Sequence, residues 1–137
     1  MNLIEATGGK KKEREVATEV AQWCVNKMLP RFRTLDITIE FAKIDAYGYC
    51  MQEDKREYTL TLRKGLGLYD LISTICHEMV HLKQYARNEL RNVQGNTMWK
   101  KKVYNEVDYW DAPWEKEAYR LEKRLALECF ESLGTKL

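Results

Sequence analysis

Histidine is nearly missing from this chain. It has two in 137 residues, along with two prolines and seven glycines. Long apolar runs are missing altogether: none approaches the roughly 18 residues needed to cross a bilayer, so no membrane-spanning helix is expected. Residues 1–16, MNLIEATGGKKKEREV, reach their charges without an apolar stretch, which argues against a secretory signal and for a cytoplasmic protein. CxxC pairs are absent too. Cys24, Cys50, Cys76 and Cys129 are widely spread, which excludes a zinc knuckle or a dense disulfide framework and implies reduced, mostly buried thiols. Charge of one sign is not in excess. A formal net charge of +2 gives no strong pull toward nucleic acid or an anionic membrane. What remains, with 45% hydrophobic and 32% charged residues, is the composition of one ordinary domain spanning residues 1–137.

The scarce histidines are placed together. Residues 75–81 read I-C-H-E-M-V-H, so His77 and His81 stand four apart with Glu78 directly after the first. Two histidines scattered at random, with a glutamate in that place, would form H-E-x-x-H in roughly one such chain in 600, and the pattern is a metalloprotease signature when it lies on a helix. The flanking residues supply the helix. From Asp70, a natural N-cap, to about Leu90, the residues Ile72, Ile75, Cys76, Met79, Val80 and Leu82 form an apolar stripe, while Thr74, His77, Glu78, His81 and Tyr85 lie along another face.

Other segments are read the same way. Val16, Val20, Trp23, Cys24 and Met28 recur at helical spacing between about Lys11 and Leu29, and Pro30 ends that helix; Lys10–Lys12 flank its start. LDITIEFA (35–42) alternates as a half-buried strand. YGYCMQ and YTLTL follow after polar turns, and the short connections suggest a three-stranded, mainly antiparallel meander. RNVQGNT reads as loop and MWKKKVY as strand or extended chain. A last helix starts near Asp111 or Ala112, with Pro113 in its first turn and Ala118, Leu121, Leu125 and Cys129 along one side. The fold class expected is α+β: helix, small sheet, HExxH helix, C-terminal helix.

Residues four apart on a helix share a face, with Cβ atoms roughly 6 Å apart. His77 and His81 can therefore hold one Zn²⁺ through ring nitrogens at about 2.0–2.1 Å. Glu78 is rotated about 100° from His77, beside the metal, where a general base for a water must stand. In isolation two helical histidines read as a surface pair or satisfied core residues; Glu78 between them alters that reading. A catalytic zinc needs a third protein ligand, and no third histidine exists. Gln84 and Arg87 occupy the places where a metzincin has its glycine and last histidine. A carboxylate must serve, and the candidates lie in P-W-E-K-E-A-Y (113–119). Glu115 shares the inward stripe with Ala118, about 60° away; Glu117 is about 100° off and points to the flank. Glu122 keeps the direction of Glu115 two turns on, which suits a partner to an imidazole.

H-E-M-V-H followed by E-K-E-A on a later helix resembles the gluzincin metallopeptidases, and in so short a chain is similar to their minimal members and to SprT-like zinc proteases. The resemblance implies one zinc per chain on His77, His81 and Glu115, with Glu78 as base and a peptide or protein as substrate. It departs from the family at Tyr119, where many gluzincins carry an aspartate bonded to a histidine, so Glu122, Asp108 or Asp111 would have to orient the imidazoles. By the same analogy REYTLTL would bind a substrate strand by β-addition. Tyr85, Tyr104, Tyr109 and Tyr119 are candidates to stabilise an oxyanion, with Tyr85 and Tyr119 one turn from ligands. Trp99-Lys100-Lys101-Lys102 reads as a solvated strand or loop, or as a contact for a phosphate backbone. Two alternatives accompany the peptidase: a zinc-binding regulatory or adaptor module without useful hydrolysis, and a DNA-associated SprT-like protease.

Overall fold

The computed structural model describes residues 1–137. The three helices lie close to where hydrophobic spacing puts them: α1 over Lys11–Met28, α2 over Leu68–Ala86 and α3 over Pro113–Leu133. A side-chain carboxylate closes the first turn of α1, where the Lys10 amide donates to Glu13 Oε1 at 2.8 Å. The start of α2 differs from expectation. Gly67 is its N-cap, with no side-chain cap, and Asp70 sits in the first turn, where the helix dipole favours a negative charge.

Four strands form the main sheet: β1 (Leu3–Thr7), β2 (Asp36–Ala42), β3 (Gly48–Asp54) and β4 (Glu57–Arg63), in spatial order β1-β2-β4-β3. The fold class is α+β, but the sheet is not a meander. β1 and β4 both run parallel to β2, and only the β3–β4 hairpin is antiparallel. Burial explains the order. Tyr58, Leu60, Thr61 and Leu62 of β4 are all buried, which suits a strand with neighbours on both sides. β3 is largely exposed: Met51 through Asp54 all face solvent and the last three are polar, which suits an edge strand. β1, which the sequence did not reveal, is a five-residue edge tied to β2 through α1.

A second, three-stranded antiparallel sheet is built from β5 (Leu90–Val93), β6 (Asn96–Trp99) and β7 (Lys102–Val103). RNVQGNT, expected to be loop, is thus most of a first tight hairpin, and MWKKKVY, expected to be strand or extended chain, holds a second. Gln94 and Gly95 make the first turn at φ of 51° and 83°, and Lys100 and Lys101 the second at 49° and 72°. Two successive residues with positive φ match the right-handed twist of the flanking strands. The Trp-Lys-Lys-Lys run is therefore a hairpin tip. Trp99 is buried and packs toward Trp114, and the lysines are exposed.

Leu35, Ile37, Ile39 and Phe41 are buried while Asp36 and Glu40 are exposed, so one face of the main sheet meets the helices. A core of 25 buried residues joins that face to α1, α2 and α3. α2 is at its centre: every residue from Leu71 to Leu82 is buried. Fully burying an Ile, Leu or Met side chain is worth about 1.5–3 kcal/mol. Ile72, Ile75, Met79 and Leu82 thus fix this helix in place together with the polar side chains it carries. No helix of the protein is long and apolar enough to cross a membrane.

Candidate metal centre

The site lies between α2 and the first turns of α3. His77 and His81 face α3 with ring centroids 5.0 Å apart. Pro113 opens α3, so Glu115 falls in its first turn, on the side facing α2. One oxygen of Glu115, Oε1, lies 3.1 Å from Nε2 of His77 and 3.1 Å from Nε2 of His81. The three donor atoms all lie within 4.8 Å of one another. A tetrahedral ion with bonds of about 2.0–2.1 Å sets its ligand atoms about 3.3 Å apart, so the spacing fits.

The outer nitrogens define the donor set further. His77 Nδ1 lies 2.9 Å from Glu122 Oε1. A carboxylate only accepts, so Nδ1 donates and the neutral ring keeps its lone pair on Nε2. On His81, Nδ1 lies 2.8 Å from Gln84 Oε1. Each contact between an imidazole nitrogen and the Glu115 oxygen needs either a ring hydrogen or a metal ion between the atoms, and on His77, whose two nitrogens both face carboxylates, two ring hydrogens make the ring a cation. In the metal-free protein the proton is the one available. Burial disfavours charge on His77, yet its hydrogen bonds to Glu115 and Glu122 prevail and lift its pKa to about 9. Burial likewise opposes ionisation of Glu115, but the two imidazoles pull it down to about 2. These shifts describe one interaction from its two ends. His81 is raised too, against burial, chiefly by Glu115.

No family model, curated protein or solved structure matches the chain. The site's chemistry therefore rests on its own residues. Glu78 is 5% exposed and stands outside the triplet of donors. Burial raises its pKa, and the two imidazoles oppose the rise. Glu78 lines two adjoining cavities of about 280 and 170 Å³. His77, Gly48 and Tyr109 border both as well, and the larger extends to Thr74, Tyr119 and Glu122.

The remaining residues singled out in the sequence divide. Tyr119 packs edge-on against His77, centroids 4.5 Å apart, and its hydroxyl meets that of Tyr109 at 2.9 Å. Tyr85 lines the smaller cavity, and burial pushes its phenol up to about 12. Tyr104 instead packs against Trp114. Neither Asp108 nor Asp111 bonds an imidazole; they belong to a 3-10 turn, Tyr109–Asp111 and its cap, that brings Tyr109 over the site. Glu117 turns to Lys83 Nζ, 2.7 Å away, and accepts from Gln84 Nε2 at 3.1 Å. β4, which contains most of REYTLTL, is paired on both edges and has no backbone left for a substrate; the free edge beside the site is β3. Gln84 is the residue the sequence reading passed over. Its position three after His81 on one helix face is the signal that could have found it.

Proposed function

We propose that the protein is a zinc-dependent peptidase of minimal gluzincin type, with Zn²⁺ held by His77, His81 and Glu115. The observation that carries this reading is the convergence of both Nε2 atoms on one Glu115 oxygen, with the buried carboxyl of Glu78 alongside in an open cavity. The metal, when bound, supplies Lewis acidity to a water and to a carbonyl oxygen. The rest of the chemistry belongs to the chain. Burial keeps Glu78 a stronger base than a solvated carboxylate. It accepts the proton of the attacking water and delivers it to the nitrogen of the departing amine. An extended peptide pairs with the free backbone of β3, which brings its scissile bond over α2. Tyr109 borders both cavities, and burial raises the pKa of its phenol, so it keeps its hydrogen, which turns from Tyr119 toward a developing oxyanion.

Metal analysis of the purified protein, followed by a peptide panel assayed with and without a zinc chelator, tests the reading. About one zinc per chain and chelator-sensitive cleavage are expected. Absence of metal affinity rejects the site. Zinc without cleavage of any peptide favours a binding module, and salt-dependent affinity for single-stranded DNA favours a DNA-associated protease.

A further inference from the structure

We propose that Gln84 is a positioning residue that dictates which nitrogen of His81 is free to bind a metal, and that Glu117 with Lys83 sets the direction in which Gln84 points. The inference rests on the metal-site reading of His77, His81 and Glu115.

Gln84 is completely buried between α2 and α3. Three partners surround its amide. The carbonyl oxygen of Trp114 lies 3.0 Å from Nε2, Glu117 Oε1 lies 3.1 Å from Nε2, and His81 Nδ1 lies 2.8 Å from Oε1. A glutamine amide has one donating and one accepting end, and its neighbours decide which way it turns. Two of these neighbours, a carbonyl and a carboxylate, can only accept. The NH₂ group must face them, so Oε1 must face His81. An oxygen in that place accepts, which requires a hydrogen on Nδ1 of His81. The neutral ring then carries its lone pair on Nε2, the nitrogen aimed at Glu115. The other tautomer would set a lone pair against Oε1 at 2.8 Å and place a hydrogen where the metal belongs.

The chain of constraint extends one residue further. Glu117 keeps its accepting oxygen toward Gln84 because Lys83 Nζ holds the same atom at 2.7 Å, and Lys83 also bonds Glu89 at 2.8 Å. Glu117 is thus the far end of the apparatus that orients His81. The two imidazoles are fixed by different means: His77 by a carboxylate from α3, and His81 by an amide on its own helix, whose polarity α3 imposes.

Glu115 is itself an acceptor for a hydrogen on Nε2, so the tautomer is read in the metal-free Glu115→Ala variant, at a pH where both imidazoles are neutral. Long-range ¹H–¹⁵N NMR of the His81 ring should show the hydrogen on Nδ1. Finding it on Nε2 overturns the proposal without any change at Gln84. Adding Gln84→Met, which keeps the length and removes the acceptor, should abolish the Nδ1 preference, whereas Gln84→Glu, which keeps an acceptor, should retain it. Persistence of the Nδ1 hydrogen with methionine in place overturns the idea. With Glu115 intact, Gln84→Met should weaken zinc binding about 10–100-fold in a chelator competition, the range for partners of ligating imidazoles. A change under twofold in a folded variant counts against it. If the wild type binds no zinc, the metal reading falls, and the ring measurements in metal-free protein still decide the role of Gln84.

Discussion

Loading the site with zinc should expel the proton that holds it together in the metal-free state. His77, with its pKa lifted to about 9, is roughly 99% protonated at pH 7, two units below. Its Nε2 must lose that hydrogen before it can donate to a metal. Zinc binding at pH 7 is therefore expected to release about one proton per ion from His77, and a further fraction from His81, whose pKa is also raised. Apparent affinity should rise about 50-fold between pH 7 and pH 9 from His77 alone, since the neutral fraction of its ring climbs from about 1% to about one half as pH reaches its pKa of about 9. Calorimetry in two buffers of different ionisation enthalpy counts the protons, and chelator competition across pH gives the slope. Heat that does not depend on the buffer, or affinity that is flat between pH 7 and 9, would refute the ion pair at the centre of the argument.

The same pair fixes a sign for stability. His77 is raised above its ordinary 6.5, so its contribution to the metal-free fold is complete below that value and is lost as pH climbs through about 9. The shift corresponds to about 3 kcal/mol at full value, and to about 1–3 kcal/mol once solvent at the cavity mouth is allowed for. Glu115, lowered to about 2, describes the acid end of the same interaction, so its share is not added to this sum.

Four further outcomes are expected. His77→Ala and His81→Ala each abolish zinc binding by elemental analysis; normal zinc in the double variant would reject the site. Glu78→Gln keeps zinc and loses peptidase activity by about 10²–10⁴-fold, the usual contribution of a general base, and full turnover in steady-state assays would exclude that role. Glu115→Ala lowers zinc affinity more than Glu117→Ala in chelator titration, and the reverse order would show that the helix register was misread. Gly48→Ala costs about 1–3 kcal/mol in urea unfolding, because its Cβ would meet Thr61 O and Thr74 Cγ2 at 2.9 Å each where β3 crosses α2; an unchanged midpoint would show that the strand yields there.

The parts of the fold legible in the sequence are those with a period. The apolar stripes of α1, α2 and α3 repeat over 18, 19 and 21 residues and could hardly be read otherwise. β2 shows its alternation in seven residues. What failed was pairing. Short connections between β2, β3 and β4 suggested a meander, because neighbours in sequence usually pair. Yet the composition of the strands held the answer. The polar end of β3 cannot lie between two other strands under a helix layer, while the near-continuous burial of β4 requires it to. β5 and the start of β6 escaped because four-residue strands with polar faces resemble loops, while the extended reading of 98–104 covers the end of β6 and the two residues of β7; only the Gln94-Gly95 pair marks the first turn.

The site divides along the same line between local geometry and contact at a distance. His77, Glu78 and His81 are set by helical spacing alone, and Glu122 follows from Glu115 by seven residues of α3, so one turn calculation orders both carboxylates toward α2. Tyr109 could not be derived this way. It depends on a 3-10 turn whose path from β7 to α3 no periodicity records. Gln84 is the intermediate case. Its place beside His81 is a matter of three residues on one helix, but the direction of its amide comes from Trp114 and Glu117 on α3. A sequence can state that a glutamine stands next to a histidine. Which end of the amide it presents, and hence which nitrogen the histidine leaves open, is decided only when two helices pack.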